Sequence, residues 1–481
     1  MIVEDKSLDT HSTNRAHSYA VLEQLDNSTL SGFHLKAMIT SGMGFFTDAY
    51  DLFIIGVALS ILTPLWHLNT FEVSLIGSTS LIAAALGSII FGRIADFVGR
   101  KAIYGFTLIV LAAGAIASAL APNLICLLIF RFILGLGIGG DYPLSATLMS
   151  EYANRKDRGK LITMVFSMQG VGLVLAPLIA IILLSLHLDN DLVWRLMLGI
   201  GAIPALATFY LRRQIAETPR FSLTINGDLE AATHTVGQVI GSPNDVRVQE
   251  KKAQSREQKK KEKKKSWLYL LFTPRYLKWL IGTAGTWFLL DIAYYGTTIS
   301  SPLVLKLLNP HAQLITNTLY TLIIFLVAAV PGYILAAFTI DRLGRKWIQC
   351  VGFGMMALAY LLLAFVPQLT TITVPFLLAY GVSYFFTEFG PNVTTFVYPA
   401  EIFPVMVRST AHGLAAALGK VGAFIGALAF PIILTQYKLP GAMLIAGVVS
   451  LLGLILTVFT LPEPMGRSLE EISEEHTLLT K

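Results

Sequence analysis

Twelve stretches of this chain stay apolar for about the length of a bilayer crossing: 36–62, 72–98, 102–120, 122–151, 158–187, 191–212, 276–302, 312–341, 346–366, 373–403, 407–435 and 439–461. A helix needs about 20 residues to cross a hydrocarbon core, so the longer stretches are expected to tilt or protrude. Lipid offers the backbone no hydrogen-bond partners, which leaves helices or a closed barrel. The short alternating segments of barrel strands are missing, and an all-α membrane protein is expected. Charged residues make up 14% of the chain and mean hydropathy is +0.65, against about 25% charge in a soluble domain.

Polar residues inside these stretches recur at about half the chain length. Asp48 is matched 243 residues later by Asp291, Asp141-Tyr142 250 residues later by Pro391-Asn392, and Gln169 251 residues later by Lys420. Loop signals repeat as well. Asp96, Arg100 and Lys101 return as Asp341, Arg345 and Lys346, and Glu151 with Arg158 returns as Glu401 with Arg408. Two similar halves with costly polar groups at matching depths read as a transporter with a central site. Bundles at 36–212 and 276–461 are expected, with tails at 1–35 and 462–481 and a central loop at 213–275.

Lysine and arginine gather in one set of loops, at Arg100-Lys101, Arg155 to Lys160, Lys251 to Lys265, Arg345-Lys346 and Arg408. By the positive-inside bias these loops and both termini face the cytoplasm, as in a plasma or cell inner membrane. The first 30 residues are polar and do not read as a signal peptide. The central loop is too polar to fold alone and reads mostly as a mobile linker with short helix at most. Its run Lys251–Lys265 is either an anionic-lipid contact or a solvated orientation marker. The run lacks interleaved aromatics, which argues against nucleic acid. Cys126 and Cys350 sit in separate apolar stretches and imply no disulfide framework.

Charges within the bilayer cost at least about 2.5–3.5 kcal/mol each, so Asp48, Asp51, Arg131, Asp141, Asp291 and Lys420 are expected to face a shared interior. They line a site or form internal ion pairs. Asp48 and Asp51 lie three apart on one helical face, and Trp287, Asp291 and Tyr295 form a stripe at a spacing of four. Glycines 135, 137, 139 and 140 would let neighbouring helices approach closely. Asp96 with Arg100, Glu151 with Arg158, Asp341 with Arg345 and Glu401 with Arg408 read either as gate locks that break and reform or as static loop braces. Neither a nucleophile–base set nor a metal-ligand cluster is apparent, so an enzyme, a cofactor and a metal are not expected.

The motifs GRIADFVGRK, RFILGLGIG, Glu217-Thr218-Pro219-Arg220 and LPEPMGRSLEEI resemble the major facilitator superfamily. Within it, GFFTDAYDLF, GGDYPLSATLMSEYANRKDRGK, FSMQGVG, TWFLLDIAYYG, FGPNVTTFVYPAEIFPVMVRST and AALGKVGA resemble the phosphate:proton symporters. The resemblance implies a major facilitator fold, with twelve transmembrane helices in two pseudo-symmetric six-helix halves. It implies import of inorganic phosphate with protons by alternating access. The anion would be held by Tyr142 and Gln169 from one half and by Trp287, Asp291, Tyr295 and Asn392 from the other, with Lys420 as charge partner. Asp48, Asp51, Arg131 and Asp141 would be associated with proton movement.

Donors at Tyr142, Gln169, Trp287, Tyr295 and Asn392 suit phosphate oxygens, while Asp291 can accept from a P–OH group, favouring the monoanion. Asp141 is expected to carry a proton beside the anion, since like charge and desolvation both penalise its charged form. Glu388 departs from the pattern, because the resembled family usually carries an uncharged residue there. It reads as a further proton site, a partner of Lys420, a sign of an organic phosphate ester, or a glutamate paired away from the site. The alternatives are a same-fold carrier of an organophosphate, another small oxyanion or a sugar, and a phosphate sensor with little transport.

Overall fold

A computed structural model describes residues 20–241, 267–308 and 311–474. The helices are α1 (Gly32–Leu65), α2 (Thr70–Val98), α3 (Arg100–Ala119), α4 (Leu124–Tyr152), α5 (Arg158–Ser185), α6 (Asn190–Ile200), α7 (Ala202–Arg213), α8 (Pro219–Thr224), α9 (Leu229–Ile240) and α10 (Pro274–Ile299). They continue as α11 (Ser301–Leu308), α12 (Leu314–Ile324), α13 (Val330–Leu343), α14 (Arg345–Phe365), α15 (Pro367–Thr371), α16 (Thr373–Phe389), α17 (Pro391–Ile402), α18 (Arg408–Thr460) and α19 (Leu469–Ser473). Among the described residues, nine helical spans are long and apolar enough to cross a membrane.

Several apolar stretches are interrupted where the sequence cannot continue a regular helix. Gly390 leaves helical geometry and Pro391, which lacks an N–H, opens the next helix, so 373–402 is split into α16 and α17. A π-turn at Phe325–Ala329 precedes Pro331 between α12 and α13. α18 covers 53 residues, but Lys438 leaves helical geometry (φ 62°) and divides it. Its length would otherwise be about 80 Å, far beyond a bilayer.

α4 is wedged between α2 and α3 by its glycine run. A Cβ at Gly135 or Gly139 would strike Ser80 or Ala84 of α2, and one at Gly137 would strike Thr107 and Leu111 of α3. Between the halves, α2 packs along α18, and α5 packs along α12 and α13.

The short helix allowed for the central loop is present in the stretch 213–241, where it is packed in place. Thr218 caps α8 with Pro219 at its first turn, Asp228 caps α9, and Gly241 closes α9 at φ 81°. Val236 and Val239 of α9 bury against Val21 and Leu25, which lie in a helical turn at residues 20–26, and against Tyr104 and Tyr152. Polarity by composition hid the apolar face of α9. The Lys251–Lys265 run lies outside the described residues.

Candidate functional site

The centre is built from residues that the two halves contribute at matching positions. Tyr142 on α4 donates to Asp48 Oδ2 on α1 at 2.6 Å, and its oxygen accepts from Lys420 Nζ on α18 at 2.7 Å. Lys420 also donates to the Tyr295 hydroxyl on α10 and lies 3.9 Å from Asp48. Gln169 on α5 accepts from the Tyr333 hydroxyl of α13 at 3.0 Å and lies 3.4 Å from both Asp48 and Asn392. Asn392 donates to Tyr333 at 2.9 Å and to Glu388. Trp287 packs its ring edge-on to Phe396 and His412 and lies against Tyr142. All these side chains are buried. Asp291 sits among them, and neither of its oxygens accepts a hydrogen bond from a described protein group.

Two further ion pairs flank the centre within the first half. Arg131 grips Asp51 with two bonds of 3.1 and 2.9 Å and donates to Ser80 and to the Ile76 carbonyl. Arg212 grips Asp141 in the same bidentate way and stacks over the Tyr104 ring at 4.1 Å.

The face bearing the basic loops is sealed by contacts that cross between the halves. Arg158 reaches Glu401 at 3.0 Å, and its repeat, Arg408, reaches Glu151 at 3.0 Å. Each glutamate is also held by the arginine of its own half, Glu151 by Arg100 and Glu401 by Arg345. Asp96 accepts from the amides of Ser409 and Thr410 at the start of α18. Asp341 accepts from the amides of Gly159 and Lys160 at the start of α5, its symmetric counterpart. Both aspartates thus sit where a helix N-terminus favours negative charge. The turns that carry Arg100 and Arg345 need glycine: Gly99 and Gly344 hold φ of 109° and 87°. Beside them Glu217 and Glu463 accept from the first two amides of α3 and α14.

The family profile of the sugar (and other) transporters matches residues 33–476. The chain belongs to the major facilitator superfamily. It is 38% identical to inorganic phosphate transporter 1-11 of Oryza sativa subsp. japonica, covering 95% of this chain and 90% of that protein. It is 36% identical to the probable inorganic phosphate transporter 1-6 of Arabidopsis thaliana, covering 95% and 96%. Among solved structures, the major facilitator proton:xylose symporter XylE bound to 6-bromo-6-deoxy-D-glucose superposes with a TM-score of 0.78 at 20% identity, covering 93% of this chain and all of that one. This member of the superfamily is an integral membrane transporter and not an enzyme.

In this transporter the residues expected at the anion site (Tyr142, Gln169, Trp287, Asp291, Tyr295, Asn392 and Lys420) come together at the centre, and Asp48 joins them directly. Asp51 does not. Three residues further along α1 it turns to Arg131, so the two aspartates enter separate networks. Asp141 also differs from expectation, since Arg212 supplies the opposite charge that the sequence reading left out. Arg212 is the last residue of the sixth apolar stretch, at the edge of the first bundle, where a charge does not by itself call for a buried partner. Glu388 pairs neither with Lys420 nor away from the site, because it holds Asn392.

Sequence reasoning also missed Tyr333 and the Arg220 clasp. A tyrosine in an apolar helix needs a partner for its hydroxyl, which was the available signal for Tyr333. Arg220 binds Asp26 at 2.6 Å and Glu470 at 2.8 Å, tying residues before α1 and after α18 to the same point. Burial opposes charge on Glu470, yet Arg220 outweighs it and holds the carboxyl down at about 2 from an ordinary 4.5. The stability from this pair is therefore fully present above about pH 4.5 and lost as pH falls toward 2. Glu470→Gln is expected to lower stability by about 3 kcal/mol at pH 6. Melting curves of both proteins from pH 6 to pH 3 should show that gap narrowing below pH 4.5. A gap independent of pH would exclude the ion pair as its source.

Proposed function

We propose that this protein imports inorganic phosphate together with protons by alternating access, from a central site between bundles at 36–212 and 276–461. The transporter would cross a plasma or cell inner membrane twelve times, with both termini on the cytoplasmic side. The observation that carries it is the meeting of Lys420 with Tyr142 and Asp48 across the halves while the basic-loop face is sealed. The cation suits an oxyanion, and the tyrosines, Asn392 and Gln169 supply neutral donors around it. The phosphate transporters among its relatives support the substrate.

Asp291, with both oxygens open to a new donor, suits the P–OH of the monoanion. Asp48 is the nearest carboxylate to Lys420, and its protonation would free that cation for phosphate. Anion and proton binding then favour one another, which is the thermodynamic content of symport. Asp51 with Arg131 and Asp141 with Arg212 offer further carboxylates for proton passage.

The test is uptake of labelled phosphate into liposomes holding the purified protein, under an inward proton gradient. Asp291→Asn is expected to cut gradient-driven uptake about 100-fold or more, equivalent to about 3 kcal/mol of transition-state stabilisation. Uptake unaltered by the substitution would remove Asp291 from the site. Binding without flux in the wild type would identify a sensor, and competition by a sugar or phosphate ester would redirect the substrate.

A further inference from the structure

We infer that Glu388 is a proton-responsive positioning residue: ionised, it holds the Asn392 amide, and protonated, it releases that amide to a bound phosphate. The inference rests on the phosphate reading above and adds a specific residue to its proton coupling.

Glu388 and Asn392 lie on either side of the Gly390-Pro391 break, one in the last turn of α16 and the other in the first turn of α17. α13 crosses α16 at Gly332, where a Cβ would meet Glu388 Cβ at 3.1 Å and also strike the Phe385 carbonyl. That close approach directs the carboxyl toward Asn392, whose Nδ2 donates to Glu388 Oε2. The carboxyl is wholly buried, and its other oxygen has no hydrogen-bond partner among the described residues.

Charge makes this an unusual place for a permanent carboxylate. The groups facing it are the hydroxyls of Tyr333 on α13 and Tyr294 on α10, with Asn392 on α17 and the further negative charge of Asp291 on α10. Lys420 donates to Tyr142 and Tyr295 instead. Among the described residues no cation forms an ion pair with Glu388, and the carbonyl end of α16 repels negative charge.

Hydrogen-bond counting connects this carboxyl to the site. The Asn392 amide has two hydrogens but three acceptors within reach, Glu388, Tyr333 at 2.9 Å and Gln169 at 3.4 Å. An ionised Glu388 takes the strongest of these bonds, because a charged acceptor outcompetes neutral oxygens. A proton taken up from the medium on Oε1 or Oε2 neutralises that acceptor. One Asn392 N–H can then turn to a phosphate oxygen, and loss of the proton after the anion leaves restores the original bond.

The experiment compares wild type with Glu388→Gln, which keeps the shape and an acceptor but cannot titrate. Phosphate uptake into liposomes is measured from pH 6 to pH 8, with KM expressed per monoanion so that the titration of phosphate itself drops out. The wild-type KM is expected to rise about tenfold over this range, while that of Glu388→Gln rises about threefold or less, the remainder belonging to Asp48 beside Lys420. Glu388→Asn, also neutral, carries the same expectation if the glutamine variant does not fold. A merely structural role would shift KM equally at every pH. Parallel profiles for wild type and variant, with wild-type uptake intact, would overturn this inference alone. Wild-type vesicles that move no phosphate would overturn it together with the phosphate reading.

Discussion

Lys420→Met is expected to weaken phosphate binding by about 2–4 kcal/mol, or roughly 30- to 1000-fold in Kd at neutral pH. The side chain is buried and donates to Tyr142 and Tyr295 from opposite halves, so its ammonium is the positive charge around which the centre is arranged. Methionine keeps much of the volume and removes only the charge and its donors. Asp48 then loses the cation 3.9 Å away, and an incoming anion meets uncompensated carboxylates at Asp48 and Asp291. The loss lies at the upper end for a hydrogen bond because removing one member of a buried charge pair leaves the other exposed to the full desolvation cost. Lys420→Arg is not a conservative rescue, since a planar fork cannot replace a compact ammonium between two tyrosines. Calorimetric titration of the purified protein with phosphate checks this directly. A Kd within threefold of wild type would place the anion elsewhere.

The second large effect concerns which face opens. Glu151→Gln with Glu401→Gln is expected to shift the equilibrium toward an open basic-loop face by about 3 kcal/mol, more than 100-fold in population. Each glutamate bridges two arginines, one from its own half and one from the other. Only the crossing pairs, Arg408 to Glu151 and Arg158 to Glu401, must break on opening. The shift is therefore smaller than the full cost of breaking two buried pairs, because a change affects an equilibrium only through its difference between the states. Symmetry adds a sharper expectation: either single substitution should produce about half the shift. Spin labels at the exposed positions Lys156 and Arg342 would report it as a longer distance between them. An unchanged distance distribution would make these pairs static braces.

Much of the architecture was legible because helical signals are local. An apolar stretch of fixed length, a glycine that alone accepts φ above 80° at positions 99 and 344, and a proline that ends a ladder act within a few residues of themselves. The half-chain repeat added the long-range part. It matched Asp96 with Asp341 and Glu151 with Glu401, and these residues do lie at equivalent places on one face. The short helix α9 was not legible from composition, since it buries only one narrow face against residues supplied by distant segments.

The sequence by itself determined which residues are polar at membrane depth and that they come in two matching sets, because burying a charge is costly wherever it occurs. Tertiary structure alone decided the partners. Asp48 and Asp51 share a helix, yet one meets Tyr142 and the other Arg131. Arg158 and Arg408 each cross to the opposite half, Arg212 turns inward to Asp141, and Glu388 takes an amide instead of a cation. Hydrogen bonds and ion pairs act over about 3 Å, and spacing along a helix does not fix position on that scale. It follows from how the two halves close on each other.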